Sequence, residues 1–501
     1  MNMKKIKNIF YGILLAAGLC QGCSNFLDVD IPDTLVMDDF WRSREQATAA
    51  LMSVYTQLGN NVTVFLKWGD LRSDIYSSHS SITASDKQML EQNIVPTNEL
   101  AKWTSVYKGI NWANSFIKNI ERVLDYDQSV TPDEVLAMKG EAYGLRALFY
   151  FYLVRTFQDV PVILEPYESD LQSPYGPAVA EEKVLDQIES DLKLALEQAP
   201  ASFVNPDEHY GRITKNAVKA LWADVKLWRG GEENYNECIR LCQELEDEYN
   251  YKMVAPENWF TLFSPGNTTE SIFEYQYMMD KGPASPLRGL FLREGPLGLN
   301  MSAVQKNMKK AYFSATLGIA DTTRYQRMTL YGMEVFKYTG VSFEQNGIYQ
   351  YRDDASGKKV HFIFYRFREV LLMKAEALAM LGKFEEALVP INRIREASGL
   401  EQLTSGEYGK EKLFFDKLLA ERVAELGFEG KQWFSLVRIA LHTGYDDLLI
   451  DRIVETSLTG VKQQTLRARL MEEKGWFMPY HQDEINSNLD LKQKEFYKGK
   501  N

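Results

Sequence analysis

The sequence is poor in the residues on which many enzymes rely. Only five histidines and four cysteines occur among its 501 residues. The histidines are scattered, without the H-E-x-x-H or other spacing of a zinc site. Neither a G-x-S-x-G elbow nor a G-x-x-x-x-G-K-[ST] loop is present. We therefore predict no enzyme, no cofactor and no metal-site residues, although two carboxylates that meet only in the folded chain, as in a glycosidase, are compatible with the sequence.

Clusters of positive charge and long apolar runs are also missing. The formal net charge is −12, and no block of lysine and arginine occurs, which argues against nucleic acid and anionic lipid headgroups as partners. Beyond the N-terminal leader no run of residues is apolar enough to cross a bilayer, which takes roughly 20 residues. Aromatic residues, by contrast, make up 12% of the chain, and their faces either pack helices together or stack on sugars.

The N-terminus has the features of a secretory signal. Three lysines precede an apolar run at residues 9–19, which is too short to span a membrane. A cysteine just after the cleavage site is typical of a bacterial lipoprotein, in which that cysteine becomes the acylated first residue. Cys23 follows a glycine, the small residue that the peptidase requires, whereas Cys20 follows a leucine. We predict a signal peptide at residues 1–22 and a lipid on Cys23; the alternative is a plain secreted protein with a spare cysteine.

Residues 362–400 are predicted to form a hairpin of two amphipathic helices. Apolar residues recur at three- and four-residue steps on both sides of Gly382, a residue that readily ends a helix in the left-handed conformation. The side chains that this phase places in the core include Leu371, Ala375 and Leu388. The turn resembles that of a tetratricopeptide repeat, although an ordinary helical hairpin fits it equally well. A second hairpin predicted at residues 214–249 favours a small stack of such repeats.

The pattern changes between residues 252 and 361. Glycine and proline interrupt it repeatedly, and short β-prone runs occur at residues 271–277 and 333–338. A long insertion inside a helical chain usually has a function or is disordered, and the aromatic residues here favour an ordered, irregular subdomain. The predicted fold class is mainly α, with a helical scaffold at about 40–250 and 362–442, an irregular ligand-side subdomain at about 252–361, and a C-terminal segment at 443–501.

Four stretches of the chain resemble a single family. They are C-x-x-F-L-D at residues 23–28 with the F-W-x-S helix start that follows, W-G-D-L-R-S-D-I-Y at 68–76, E-R-V-A-E-L-G-F-E-G-K-Q-W-F-S-L-V-R at 421–438, and P-Y-H-Q-D-E-I-N-S-N at 479–488. These stretches resemble the SusD/RagB family, which comprises surface-exposed outer-membrane lipoproteins of Bacteroidetes that capture nutrients. Gln432 and Ser435 depart from the arginine and aspartate that are usual in that family, and Gln158, just before Asp159-Val160-Pro161 in a further matching segment, stands where glycine is usual.

The resemblance implies a SusD-like fold, as a single domain over residues 23–501, and binding rather than catalysis. It implies that the protein binds an oligosaccharide or glycan, less often a peptide, and delivers it to a SusC-like TonB-dependent transporter. The expected location is the outer membrane, where a lipid anchor would hold the protein facing the cell exterior. The alternatives are a surface glycan hydrolase and a lipid-anchored helical-repeat scaffold protein.

A sugar site needs aromatic faces for stacking and polar side chains for the hydroxyl groups. Two irregular segments offer both, residues 68–85 and residues 282–297. The predicted ligand-binding residues are Tyr76 and His79 from the first segment, and Arg288, Phe291 and Arg293 from the second. For each residue taken alone, an ordinary loop position is the competing interpretation.

Overall fold

The structure is a computed structural model. It describes residues 40–76, 82–168, 176–248, 251–277, 284–291, 324, 329–330, 334–339, 341–343, 349–351, 360–404, 411–456 and 460–499. The predicted signal peptide, Cys20, Cys23, His79 and Arg293 lie outside the described residues.

Helices dominate the described chain, as predicted. The N-terminal half contains α1 Arg44–Asp70, α2 Ala84–Leu90, α3 Thr104–Asn119, α4 Pro132–Phe157, α5 Glu181–Gln198, α6 Pro206–Gly211, α7 Lys215–Arg229 and α8 Glu232–Glu248. The C-terminal half contains α9 Leu287–Phe291, α10 Phe336–Thr339, α11 Phe367–Met380, α12 Phe384–Ala397, α13 Glu411–Leu426, α14 Gln432–Thr443, α15 Asp446–Thr456, α16 Gly460–Leu470 and α17 Gln482–Ser487. Short 3-10 turns lie at Glu99–Ala101, Ile120–Asp125, Pro256–Leu262, Glu473–Trp476 and Glu495–Tyr497.

The long helices pack as successive antiparallel pairs. Helix α4 packs on α5, α7 on α8 and α11 on α12, while α5 also contacts α7 and α8 contacts α11. The three pairs therefore form one continuous stack, which confirms the predicted repeat of hairpins. Gly382 has a φ of +73° at the turn of the last pair, and the buried side chains of that pair include Leu371, Ala375 and Leu388.

The start of α4 shows how the sequence defines a helix end. The Thr131 hydroxyl accepts a hydrogen bond from the backbone N–H of Glu134 at 3.2 Å, and the Glu134 carboxylate accepts one from the backbone N–H of Thr131 at 2.9 Å. This reciprocal arrangement satisfies two donors that the first turn would otherwise leave unbonded. Pro132 follows at the first helical position, where its missing N–H costs nothing.

Residues 362–366 correct the hairpin prediction. They form strand β6, Phe362–Arg366, which pairs antiparallel with β1, Ser271–Tyr275, and only after it does α11 begin. Every residue of β6 is buried, so its apolar run satisfies a helix pattern and a strand pattern equally. The described insertion holds two further two-stranded ladders, of β2 Thr329–Leu330 with β3 Glu334–Val335 and of β4 Val341–Phe343 with β5 Tyr349–Tyr351.

Candidate functional site

Tyr76 ends the short segment that follows α1. Its side chain is buried, with 6% of the residue exposed, and its ring meets the edge of the Phe428 ring at a centroid distance of 5.5 Å. The hydroxyl has no hydrogen-bond partner among the described residues. Burial raises the pKa of the Tyr76 phenol well above its usual value. The hydroxyl is therefore a neutral, protonated group inside the protein.

Phe291 lies at the end of the five-residue helix α9 and is fully buried. Its ring stacks on Tyr338 at 5.0 Å and meets Phe428 edge-on at 6.0 Å. Arg288, one turn earlier, is half-buried. Tyr76 and Phe291, which we predicted from two separate segments, thus contact the same aromatic ring. Neither ring presents an exposed face in this arrangement, so their role in ligand binding stays a prediction.

Phe428 occupies a strained turn between α13 and α14. Its φ of +69° is uncommon for a bulky residue, and Gly430 follows with a φ of +75°. The turn is held by the Asp70 carboxylate, which accepts hydrogen bonds from the backbone N–H groups of Gly430, Lys431 and Gln432 at 2.9 to 3.0 Å. Burial raises the pKa of Asp70 to about 6, although the hydrogen bonds from the three backbone N–H groups act to lower it. The end of α1 therefore fixes the position of Phe428.

This contact between α1 and the turn leaves no space for a side chain at Gly69. A Cβ at that position would lie 1.7 Å from the carbonyl oxygen of Gly430. Two elements that are far apart in the sequence are thus joined backbone to backbone beside the predicted site.

Lys337 fastens the insertion to the same turn. Its ammonium group donates to the Glu429 carboxylate at 2.6 Å and to the carbonyl oxygen of Gly427 at 2.8 Å. The neighbouring Tyr338 hydroxyl donates to the carbonyl oxygen of Phe428 at 3.0 Å. Burial lowers the pKa of Lys337, whereas the Glu429 carboxylate raises it. The charge of Lys337 is thus paired and hydrogen-bonded inside the protein, and removing Glu429 would take away the carboxylate that compensates it.

Arg366 extends this contact into a buried ionic cluster. Its guanidinium donates to Glu270 at 2.7 Å, to Glu425 at 2.9 Å and to Glu429 at 3.0 Å. Arg368 donates to the second oxygen of Glu270. Burial alone would raise the pKa of the Glu425 carboxylate, but the surrounding guanidinium groups hold that pKa at about 2. The cluster joins β6, the insertion and the 421–430 stretch into one support for the site.

A separate cavity of about 310 Å³ opens beside the N-terminus of α3. Its wall is mainly apolar, and several of its polar groups are bonded within the protein. The Tyr107 hydroxyl donates to the carbonyl oxygen of Pro161 at 2.6 Å. The Glu484 carboxylate accepts from the backbone N–H groups of Trp103 and Thr104 at 3.2 and 3.0 Å and so caps α3. No sequence pattern indicated this cavity.

Sequence reasoning did not assign Asp70, Phe428 or Glu429 to the site. All three lie within the two motifs at residues 68–76 and 421–438. The motifs themselves were therefore the available signal, since they supply the two chain segments that meet at Phe428.

The described residues also lack a metal cluster and a membrane-spanning helix. No group of three or more histidine, cysteine, aspartate or glutamate side chains there could hold a metal ion. None of the helices in the described ranges is both long enough and apolar enough to cross a membrane.

Two family profiles match the chain. One, described as the SusD family, matches residues 269–497. The other, described as starch-binding and associating with the outer membrane, matches residues 25–227. Residues 68–76 thus lie within the second match and residues 421–438 within the first.

Relatives and solved structures agree with these matches. SusD-like protein P38 of Formosa agariphila is 26% identical over 87% of this chain and 92% of its own length. A SusD superfamily crystal structure from Bacteroides vulgatus has a TM-score of 0.71 at 20% identity and covers 91% of this chain and 100% of that chain. NanU of B. fragilis has a TM-score of 0.67 at 20% identity and covers 92% of this chain and 98% of its own. The chain belongs to the SusD/RagB family.

Proposed function

We propose that this protein is a lipid-anchored binding protein of the outer membrane that captures an oligosaccharide and delivers it to a SusC-like TonB-dependent transporter. The observation that carries the proposal is the match of residues 25–227 to a profile described as starch-binding and associating with the outer membrane. The match of residues 269–497 to the SusD family supports it. We further propose that residues 23–501 form one domain.

The proposed anchor is the lipid on Cys23. The profile match begins at residue 25, just after this cysteine, which is consistent with a mature chain that starts there. The positive leader and the apolar run at residues 9–19 precede it. A lipid at the first mature residue would hold the whole described fold on the outside of the membrane.

The proposed ligand site lies around Phe428, which both Tyr76 of the 68–85 segment and Phe291 of the 282–297 segment contact. Tyr76 and Phe291 support its floor through their shared contact with Phe428. In this proposal Arg288, His79 and Arg293 supply the polar groups for the sugar hydroxyls. The rigid turn and the buried ionic cluster beneath would hold these loops in place, and a preorganised site loses less entropy on binding.

A glycan array tests this proposal. The protein without residues 1–23 is applied to immobilised oligosaccharides, and every glycan that it retains is then incubated with it and examined for cleavage products. We expect retention of one class of oligosaccharide with no cleavage. Retention of no glycan would overturn the proposed function, and cleavage would show that the protein is a hydrolase.

A further inference from the structure

Arg72 is a buried arginine whose described partners are all uncharged. Only 2% of the residue is exposed. Its guanidinium donates to the Gln92 side chain at 2.8 Å, to the carbonyl oxygen of Gly475 at 2.7 Å and to that of Trp476. It also lies over the Trp433 ring, with its central carbon 4.1 Å from the ring centroid.

A buried guanidinium ordinarily has a carboxylate beside it, because the isolated charge is costly in a medium of low dielectric constant. In the described ranges every other buried arginine discussed above pairs with acids, as Arg366 does with Glu270, Glu425 and Glu429. Burial lowers the pKa of Arg72 to about 10. This charge therefore lacks a counterion among the described side chains.

Arg72 lines a cavity of about 200 Å³ together with a second arginine, Arg469. Arg469 is half-buried at the end of α16, and its described hydrogen bond goes to the backbone carbonyl oxygen of Glu91 at 3.3 Å. The exposed Asn93 also lines the cavity. Two guanidinium groups that pair with no carboxylate of the described residues thus face one small space in a chain of net charge −12.

The chemistry of this space fits an oxyanion. Guanidinium groups bind carboxylate, sulfate and phosphate oxygens through short, charge-assisted hydrogen bonds, and amide side chains add further donors. The cavity volume of about 200 Å³ is several times the roughly 30 Å³ occupied by a water molecule in the liquid. It is smaller than the sites of about 300–1,000 Å³ that hold drug-sized ligands. One anionic group with its neighbouring atoms therefore fits better than a whole oligosaccharide.

We propose that the cavity between Arg72 and Arg469 binds the carboxylate or sulfate group of an acidic glycan. The glycan part of this statement rests on the proposed function, whereas the anion part rests only on the two arginines. Arg72 belongs to the 68–85 segment. The cavity is also lined by residues that directly follow α2, namely Gln92, Asn93 and Ile94. The anion site and the proposed sugar site thus share one chain segment.

Calorimetric titration tests the anion site. Sodium sulfate and sodium glucuronate are titrated separately into the full-length protein in an uncharged detergent, at constant ionic strength set with sodium chloride. We expect saturable binding of at least one of the two, and the probe that binds distinguishes a sulfate ester from a carboxylate. The variant Arg469→Gln should weaken that binding about ten-fold or more, because it removes a charge-assisted hydrogen bond to the anion.

Arg467→Gln is the matched control. Arg467 lies on the same helix but pairs with Asp451, and both side chains are nearly half exposed. Its replacement should leave anion binding unchanged. Arg72→Gln should also abolish binding.

Two results would overturn the proposal: no saturable binding of either anion by the wild type, or equal affinities in wild type and Arg469→Gln. The proposed function fails in a different way. If sulfate or glucuronate binds through Arg469 but the array retains no glycan, the anion site stands and the glycan function does not. If neutral glycans bind but Arg469→Gln leaves the binding of both anions unchanged, the glycan function stands and the anion site does not.

Discussion

At the scale of single residues, Lys494 shows how burial changes a side chain that has no acidic hydrogen-bond partner among the described residues. Its ammonium group donates to the carbonyl oxygens of Phe157 and Met478, the latter at 2.8 Å. Burial lowers the pKa of Lys494 to about 7, although Asp159 and Glu181 raise it. The C-terminal segment is thus tied to the end of α4 by a lysine that loses its proton near neutral pH.

This shift predicts a stability that depends on pH. Between pH 7 and about 10 the folded chain holds Lys494 neutral while the unfolded chain keeps it protonated, so the unfolded state binds more protons. The free energy of unfolding should therefore rise with pH there, by at most about 1.4 kcal/mol per unit from this group. Urea denaturation at pH 6.5 and 9.5 should show wild type gaining stability relative to Lys494→Met. Relative to the variant Lys498→Met, which changes an exposed lysine, the wild type should gain no stability. If the wild type gained none relative to Lys494→Met, or lost some, the lowered pKa of Lys494 would be contradicted.

Phe428 is the residue on which the supports of the predicted site converge. Phe428→Ala removes the ring between Tyr76 and Phe291, and truncation of a buried phenylalanine typically costs about 3 to 5 kcal/mol of stability. Urea denaturation of this variant should show such a loss. The half-buried Phe384 provides the comparison: Phe384→Ala should cost clearly less. Equal losses would mean that Phe428 is not a packing centre.

At the scale of elements, the sequence specified the helices better than the strand. The turn at Gly382 and the cap at Thr131 have local signals, and both are present in the structure. Strand β6 has none, because its five buried residues fit either period and its partner β1 lies in the insertion. The partners of Arg366 include Glu270 and Glu425, which are distant in sequence. Only the folded chain reveals such pairs.

The phase of α11 is open to a direct test. Leu371 is fully buried in it, and Leu→Ala at such a position costs about 2 to 5 kcal/mol. Leu371→Ala should lower the melting temperature by several degrees, whereas Lys383→Ala, at the exposed turn, should change it little. Thermal unfolding followed by circular dichroism measures both, and similar shifts would refute the assigned helical phase.

At the scale of the whole molecule, the family and the helical stack were predictable while the ligand site was not. The motifs that identify the family are spread along the chain and mostly build the scaffold, as the contacts of Asp70 and Glu429 show. The proposed ligand-binding residues, apart from Tyr76, lie outside those motifs. The meeting of Tyr76 and Phe291 at Phe428 could not be read from sequence, because it depends on how the insertion packs on the 421–438 stretch.

The anchor is a property of the whole molecule as well. Cys23→Ala should abolish labelling by a radioactive fatty acid and release the protein from the membrane fraction, because no other residue is proposed to carry lipid. Cys20→Ala should leave both labelling and location unchanged. If Cys20→Ala abolished labelling and Cys23→Ala did not, the lipid would be on Cys20 and the predicted site would be wrong.

The central claim is that this protein binds an oligosaccharide without altering it, and calorimetry with a glycan retained on the array tests it most directly. The wild type should bind that glycan saturably and leave it intact. Arg288→Ala should weaken binding about ten-fold or more, since a hydrogen bond to a charged group contributes about 1.5 to 3 kcal/mol, whereas Arg240→Ala, on the exposed side of α8, should bind as the wild type does. Absence of saturable binding, or cleavage of the glycan during the titration, would contradict the account.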